Sequence, residues 1–170
     1  MIELLRKRRS IRKYKDKKIE TKKLTILQEA VLRSPSSRNF KPWRFIFIQD
    51  RNILKKLATA KPKGGSFITT APLAVVICGN PTRSDVWVED CSIAAIILQL
   101  TAESLGLGSC WIQIRKRLRE DKTPAGAYIK TLLDLPDQFE IEAIISIGYP
   151  AENPSPINFS DLDHEKVSFH

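Results

Sequence analysis

The sequence predicts one domain in which helices and strands alternate around a central sheet, of the α/β or α+β class. Three observations lead to this prediction. The chain has 170 residues, which is the length of one domain. Hydrophobic residues make up 42% of it and charged residues 28%, which is ordinary for a globular protein and excludes a disordered chain. Apolar residues follow helical spacing in some segments and strand-like runs in others.

The first third of the chain contains two predicted helices and one predicted strand. Residues 2–8 form a short helix, and residues 11–19 form a loop or an edge strand. Thr21 is a suitable N-cap for a helix over residues 22–32, which must end near Ser34 because a proline follows. The β-rich run 43–48 predicts the first buried strand.

The middle of the chain contains the segment with the strongest apolar character. Asp50 is expected to cap a short helix that ends at Leu57, and the glycine-containing stretch 61–70 is expected to be a loop before a strand at residues 73–78. Asp90 is expected to cap a long helix that ends before Gly106, a residue suited to the left-handed stop position.

The last third of the chain predicts two strands with a helix between them. Residues 109–114 form a strand around a tryptophan, and Thr123 followed by Pro124 opens a helix that extends to Leu133. The final strand covers residues 141–147. The remaining tail is polar and rich in proline.

The long helix predicted from residue 91 to residue 105 is apolar around nearly its whole circumference. Such a helix must be covered on all sides. One small domain rarely wraps a helix completely, so we favour a second subunit as part of the cover. Burial within the monomer by the chain's own sheet is the alternative.

The basic residues are concentrated near the N-terminus. The net charge is +9, and residues 6–23 hold eleven Lys or Arg against two acids, which equals that whole excess. This favours an anionic partner at that segment. A solvated basic face is the commoner outcome of such a run. A nucleic-acid-binding module is a further alternative, although the segment has Tyr14 as its single aromatic residue and no helix-turn-helix or RRM pattern.

Several catalytic chemistries are excluded by what the sequence lacks. Its three cysteines have no CxxC spacing, and His164 and His170 both lie in the tail, so a zinc site and a histidine-based triad are not expected. No GxGxxG or P-loop pattern occurs. An enzyme of this sequence would therefore depend on a bound cofactor. No leader pattern and no membrane-length apolar run is present, which predicts a cytoplasmic protein.

Three segments carry candidate binding residues. For each segment, packing or solvation of the same residues is the simpler explanation. The RRSIR run at 8–12 combines guanidinium groups with a hydroxyl, a set that suits a phosphate. The stretch 34–43 offers short polar side chains between two prolines. In the stretch 106–115 a helix ends in glycine and leads into a strand whose end could face a ligand.

In this order and at this spacing, RRSIR, PSSRNFKPW and GLGSCWIQ resemble the nitroreductase family of small FMN-dependent oxidoreductases, as do the Ala71-Pro72 and Gly148-Tyr149-Pro150 segments. The resemblance implies an α+β fold with a central mixed, mostly antiparallel sheet flanked by helices, in an intertwined homodimer with FMN at the interface. It implies one domain over residues 1–170, with the tail 151–170 reaching over the partner subunit.

The resemblance also implies an activity. Hydride passes from NADH or NADPH through flavin N5 to a small acceptor such as a nitroaromatic or a quinone, in ping-pong order, with no catalytic side chain and no metal. Nucleic acid and membrane are not expected partners. A flavin-binding protein without turnover remains an alternative.

The resemblance assigns cofactor contacts residue by residue. The phosphate, the ribityl chain and the pyrimidine edge would be held by Arg8, Arg9, Ser10 and Arg12. The other subunit would lay a second set against the ring: Pro35, Ser36, Ser37 and Asn39. The ring would be backed by Trp111, Ile112, Gln113 and Ile114, with a backbone N–H of Gln113 or Ile114 facing N5. Gly148 would approach the phosphate.

One stretch departs from the family pattern. Many longer members carry a basic K-x-R-type pair after the last strand, whereas residues 154–159 here contain no base. Phosphate binding would then depend more on Arg8 and Arg9, with Arg115 or Lys63 as candidates for support.

Overall fold

The computed structural model describes all 170 residues, and its centre is a four-stranded sheet. The strands are β1 (Trp43–Ile48), β2 (Leu73–Gly79), β3 (Gly108–Gln113) and β4 (Glu140–Gly148), arranged in the order β1-β2-β4-β3. Each neighbouring pair is antiparallel. β3 and β1 are therefore the edge strands. Every residue of the central strand β2 is buried, as its unbroken apolar run predicts.

Five helices flank this sheet: α1 (Ile2–Lys7), α2 (Thr21–Leu32), α3 (Arg51–Ala58), α4 (Trp87–Ser104) and α5 (Ala125–Leu132). Alternate residues of β2 separate two cores. Leu73, Val75 and Ile77 pack with α2 and α4, whereas Ala74 and Val76 pack with α3 and α5 on the opposite face. This alternation follows from the two-residue period of a strand.

The predicted α+β class with a mostly antiparallel, helix-flanked sheet is confirmed. The only parallel pairing is an isolated bridge between Ser10 and Ser109, beside the outer edge of β3. Residues 11–19 form no strand; Tyr14 makes one isolated antiparallel bridge to Pro150.

Three predicted helix starts are wrong. α2 begins at Thr21 itself with Glu20 as its N-cap, and α5 begins at Ala125 with Pro124 as its N-cap. α4 begins at Trp87, so Asp90 lies inside the helix rather than at its cap. By contrast, the Asp50 carboxylate accepts N–H bonds from Asn52 and Ile53, as a cap does.

Two segments predicted to lack regular structure contain short 3₁₀ helices. One covers Ser66–Thr70 before β2, and two lie in the tail, Phe159–Asp161 and His164–Lys166. The tail residues from Ser155 onward are all exposed. None of the helices combines the length and the apolar character needed to cross a bilayer.

Candidate functional site

The arginine loop, residues 8–13 between α1 and Tyr14, lies along the outer edge of β3. The Ile11 N–H donates to the Ser109 carbonyl at 2.9 Å, and Ser10 bridges the same residue in parallel register. The Ile11 side chain is buried. Gly108 permits this close approach, because a Cβ there would lie 2.6 Å from the Ile11 side chain. The loop is therefore held on the sheet by its own backbone and by packing.

Tyr14 holds the C-terminal side of this loop. Its buried hydroxyl donates to the Ile11 carbonyl at 2.6 Å and lies 2.7 Å from the Ser146 hydroxyl on β4. Burial raises the pKa of the Tyr14 phenol well above its ordinary value. The group therefore stays neutral and acts as a fixed hydrogen-bond link between the loop and the sheet.

A polar cavity of about 520 Å³ opens at the arginine loop. The structure brings together all four residues that the sequence predicts for this part of the site. The full lining consists of Arg8, Arg9, Ser10, Arg12, Lys13, Glu152 and Pro154. Four cations facing one carboxylate give the cavity a positive potential that favours an anionic ligand.

Two further cations, Lys61 and Arg117, were not singled out by the sequence analysis, and neither lines the arginine-loop cavity. The thiol of Cys110 on β3 is buried, which raises its pKa, while Arg12, Arg8 and Lys61 act in the opposite direction. Burial lowers the pKa of Lys61, and neighbouring Arg117 lowers it further. The charge of Lys61 therefore acts on the buried Cys110 thiol, and that of Arg117 acts on Lys61. Neither carries a local sequence signal, because their meeting depends on packing between distant segments.

Arg115, a candidate for phosphate support, lies elsewhere. Its guanidinium is 5.7 Å from the Trp87 ring at the start of α4, and its Nε is 3.9 Å from a carboxylate oxygen of Glu142. Arg115 therefore belongs to the far end of β3. Lys63, the other candidate, is exposed in the loop after α3 and does not line the arginine-loop cavity.

The four predicted residues of the β3 segment divide into two kinds. The side chains of Ile112 and Ile114 are buried in the core with α5, so they cannot form a wall against a ligand. Trp111 and Gln113 are half-buried on the other face, and the indole N–H of Trp111 donates to Gln113 Oε1 at 2.9 Å. Gln113 Nε2 donates in turn to the Arg115 carbonyl at 3.1 Å. This chain of bonds fixes the strand end.

The backbone of β3 also distinguishes Gln113 from Ile114. The Ile114 N–H donates to the Glu142 carbonyl at 3.3 Å and is not available to a ligand. The Ser109 carbonyl faces outward to Ile11. Backbone groups of an antiparallel strand alternate in direction, so the Gln113 N–H, four residues on, also points to the open edge.

The Pro35–Asn39 segment lies away from the arginine loop within one chain. The Ser37 N–H donates to the buried carboxylate of Asp90 at 2.8 Å, and that carboxylate also accepts the Ser84 hydroxyl at 3.1 Å. Arg38 and Asn39 both have positive φ, which gives the turn its shape. Asp90 is in the first turns of α4, whereas the arginine loop borders its C-terminal end at Glu103, about 20 Å along the helix axis.

The exposed side of α4 is apolar. Ile93 and Ile96 are 40% and 39% exposed, and Ile97 and Leu100 are only partly buried, whereas Cys91, Leu98 and their buried neighbours face the core. The prediction that the monomer leaves part of this helix uncovered therefore agrees with the structure. An uncovered apolar stripe of this kind is typical of a protein interface.

Gly148 is not part of the arginine-loop cavity. It is buried at the end of β4, where a Cβ would lie 2.5 Å from Pro72 and 2.9 Å from Tyr14. The need for glycine here is explained by this close packing. Contact of Gly148 with a phosphate stays a prediction.

The tail lies against its own chain. The guanidinium of Arg9 donates to the Ser155 carbonyl. Further along, Ile157 and Phe159 line a cavity of about 580 Å³ with Ile2 and Leu5 of α1. Contact between the tail and a partner subunit stays a prediction.

A helix-flanked antiparallel sheet with a cationic cavity at one open edge defines a small α+β protein that is suited to an anionic ligand. The profile of the Nitroreductase family matches residues 5–149, and the chain belongs to that family. The structure resembles the FMN-dependent nitroreductase of Clostridium difficile R20291, with a TM-score of 0.97 and 48% identity over 99% of this chain and 98% of that one.

Two other proteins extend this comparison. A Methanothermobacter thermautotrophicus protein, provisionally named an NADH dehydrogenase/NAD(P)H nitroreductase, is 33% identical over 96% of this chain and 84% of its own length. A Desulfovibrio desulfuricans protein, provisionally named a nitroreductase and solved in complex with FMN, has a TM-score of 0.80 and 25% identity over 99% of this chain and 95% of that one.

Proposed function

We propose that this chain is an FMN-dependent oxidoreductase that takes reducing equivalents from NADH or NADPH and delivers them to a small acceptor such as a nitroaromatic or a quinone. Family membership and the names of its relatives support the general class, an NAD(P)H-dependent flavin oxidoreductase. The observation that supports FMN as the bound cofactor is the cationic cavity that the arginine loop forms at the open edge of β3.

The residues of this chain fit two parts of FMN, its phosphate and its ribityl chain. The cavity gathers guanidinium groups and a hydroxyl, the donor set that suits a phosphate and a polar sugar-like chain. Arg8 and Arg9 would hold the phosphate, Ser10 the ribityl chain, and Arg12 the pyrimidine edge. Because residues 154–159 after the last strand contain no base, phosphate binding would depend on Arg8 and Arg9 of this cavity.

Bound FMN supplies the redox chemistry, accepting hydride at N5 from NAD(P)H and passing it to the acceptor in ping-pong order. The chain's contribution is binding and orientation. The outward N–H of Gln113 is the candidate donor to N5, because Ile114 is already bonded to Glu142. The indole of Trp111 fixes the Gln113 side chain and so limits movement of the strand end.

The site requires a second copy of the chain in this proposal. The Pro35–Asn39 segment is held at the opposite end of α4 from the arginine loop. Pairing two chains through the exposed isoleucines of α4 would cover that stripe and bring one protomer's segment to the other's cavity. This pairing explains both the uncovered helix face and the divided site.

Spectral titration tests the proposal. The purified protein should be yellow or take up FMN, and NADH or NADPH should bleach its visible flavin absorption until an acceptor restores it. A yellow protein that neither nicotinamide bleaches would indicate flavin binding without turnover. A colourless protein that takes up no FMN and shifts DNA at low salt would instead support the nucleic-acid alternative.

A further inference from the structure

Glu152, the fourth residue after β4, contacts the arginine loop directly. One of its carboxylate oxygens accepts the Arg12 N–H at 2.5 Å and the Lys13 N–H at 3.2 Å. The same side chain lines the cationic cavity. The chain therefore has an acid contacting the cavity in the region after the last strand, where longer family members carry bases.

The backbone on either side of Glu152 fixes its position. The Ala151 N–H donates to the Lys13 carbonyl at 2.9 Å, and the Lys15 N–H donates to the Tyr149 carbonyl at 2.9 Å. These bonds continue the pairing of Tyr14 with Pro150. Residues 13–15 and 149–151 thus form a short ladder, and Glu152 extends it into the loop.

The charge of this carboxylate is maintained by its surroundings. Its bond from the Arg12 backbone, followed by that from Lys13 and by the charges of both residues, lowers the pKa of Glu152 below its ordinary value. The nearby phenol of Tyr14 adds no charge, because burial raises its pKa and keeps it neutral. Glu152 is ionised at neutral pH, as an ordinary glutamate is, and these contacts keep it ionised at lower pH as well. It is also the only acid that lines the cavity.

We propose that Glu152 is a positioning residue of the cofactor cavity, which holds the Arg12–Lys13 backbone in its observed conformation and limits how strongly the cavity attracts a phosphate. The second part rests on the proposed function, because it takes FMN as the ligand. The first part depends only on the contacts within this chain.

The two roles predict opposite effects on FMN affinity, and two substitutions separate them. Glu152→Gln removes the charge and keeps an oxygen that can accept both N–H groups. Glu152→Ala removes the charge and the acceptor together. Because an exposed like charge has a small effect, we expect E152Q to bind FMN about two- to fivefold more tightly than wild type. Loss of the acceptor should make E152A about five- to tenfold weaker than E152Q.

Fluorescence titration of the cofactor-free dimeric protein with FMN and with riboflavin measures these effects. Riboflavin lacks the phosphate, so the gain in E152Q should be smaller for riboflavin than for FMN. Glu165→Gln, which removes an exposed acid elsewhere in the tail, serves as the matched control and should leave both affinities unchanged. Equal FMN affinity of E152Q and wild type would overturn the role in attraction, and equal affinity of E152Q and E152A would overturn the role in positioning.

A measurement without cofactor separates this inference from the proposed function. In the cofactor-free protein, the Arg12 and Lys13 amides should exchange with solvent faster in E152A than in wild type or E152Q. If wild type binds no FMN, the proposed function fails, while faster exchange in E152A still supports the positioning role. Unchanged exchange in E152A would contradict it.

Discussion

Two loops of this chain carry residues proposed to hold the cofactor, and they are held in different ways. The arginine loop contacts β3, β4 and the tail through backbone bonds and Tyr14. The Pro35–Asn39 segment is held instead at the start of α4 by the buried carboxylate of Asp90. One chain orders both segments without joining them, so the proposed site takes its second segment from another copy of the chain.

The largest expected effect comes from a charge placed between the two copies. Ile96→Asp puts a carboxylate on the exposed apolar side of α4, and desolvating it would cost several kcal/mol. We expect a monomer by analytical ultracentrifugation, and loss of FMN binding with it. Ala127→Asp, on the exposed face of α5 across the sheet, is the control. A monomeric Ile96→Asp protein that still holds FMN would contradict the shared site.

A smaller effect is expected from the arginine loop alone. Arg8→Ala removes a charge-assisted contact, so the FMN affinity should fall by about 1–3 kcal/mol, or roughly fivefold to 150-fold, in a protein that remains dimeric. Titration with FMN measures this, and Lys55→Ala on α3 controls for the loss of an exposed charge. Unchanged affinity would remove Arg8 from the site.

The Pro35–Asn39 segment can be released by changing Asp90, whose carboxylate accepts the Ser37 N–H. Asp90→Ala leaves the Ser37 N–H without its acceptor, and we expect the free energy of unfolding to fall by about 1–2 kcal/mol. Ser84→Ala removes only the other bond to Asp90, so it should destabilise less. The difference between the two variants in urea denaturation reports the bond to Ser37. Equal destabilisation would show that this bond does not hold the segment.

The smallest effect is a change of stability with pH that comes from Glu142, which lies on β4 beside the end of β3. Burial raises the pKa of Glu142 above its ordinary 4.5, and one of its oxygens has no hydrogen-bond partner. The folded state therefore holds this proton more tightly than the unfolded chain, so the contribution of Glu142 to stability falls as pH rises from 4.5 through the folded pKa. Relative to wild type, Glu142→Gln should gain stability over that range. A difference that does not change with pH would contradict this.

Structural features that depend on residues close together in the chain could be predicted from the sequence. Strand β1 was predicted with its observed bounds, and the Asp50 cap was confirmed because its donors lie two and three residues away. Asp90 was misread because its donor, Ser37, is 53 positions distant. Lys61 was missed for the same reason.

Prediction of the site from the sequence has the same limit for individual residues. The RRSIR motif predicted a group of residues that the structure does bring into one cavity. It could not show that the Ile114 N–H is already bonded to the Glu142 carbonyl, or that Gly148 is required by Pro72. These details depend on strand register and on contacts between distant segments, which no local pattern records.

The buried hydroxyl of Tyr14 has a thermodynamic consequence for ligand capture. Because this hydroxyl already fixes the loop to β4 through Ile11 and Ser146, the loop has little conformational freedom left to lose when a ligand arrives. Calorimetry should then record ligand association with a small entropic penalty from ordering the loop. Tyr14→Phe should make that entropic penalty larger.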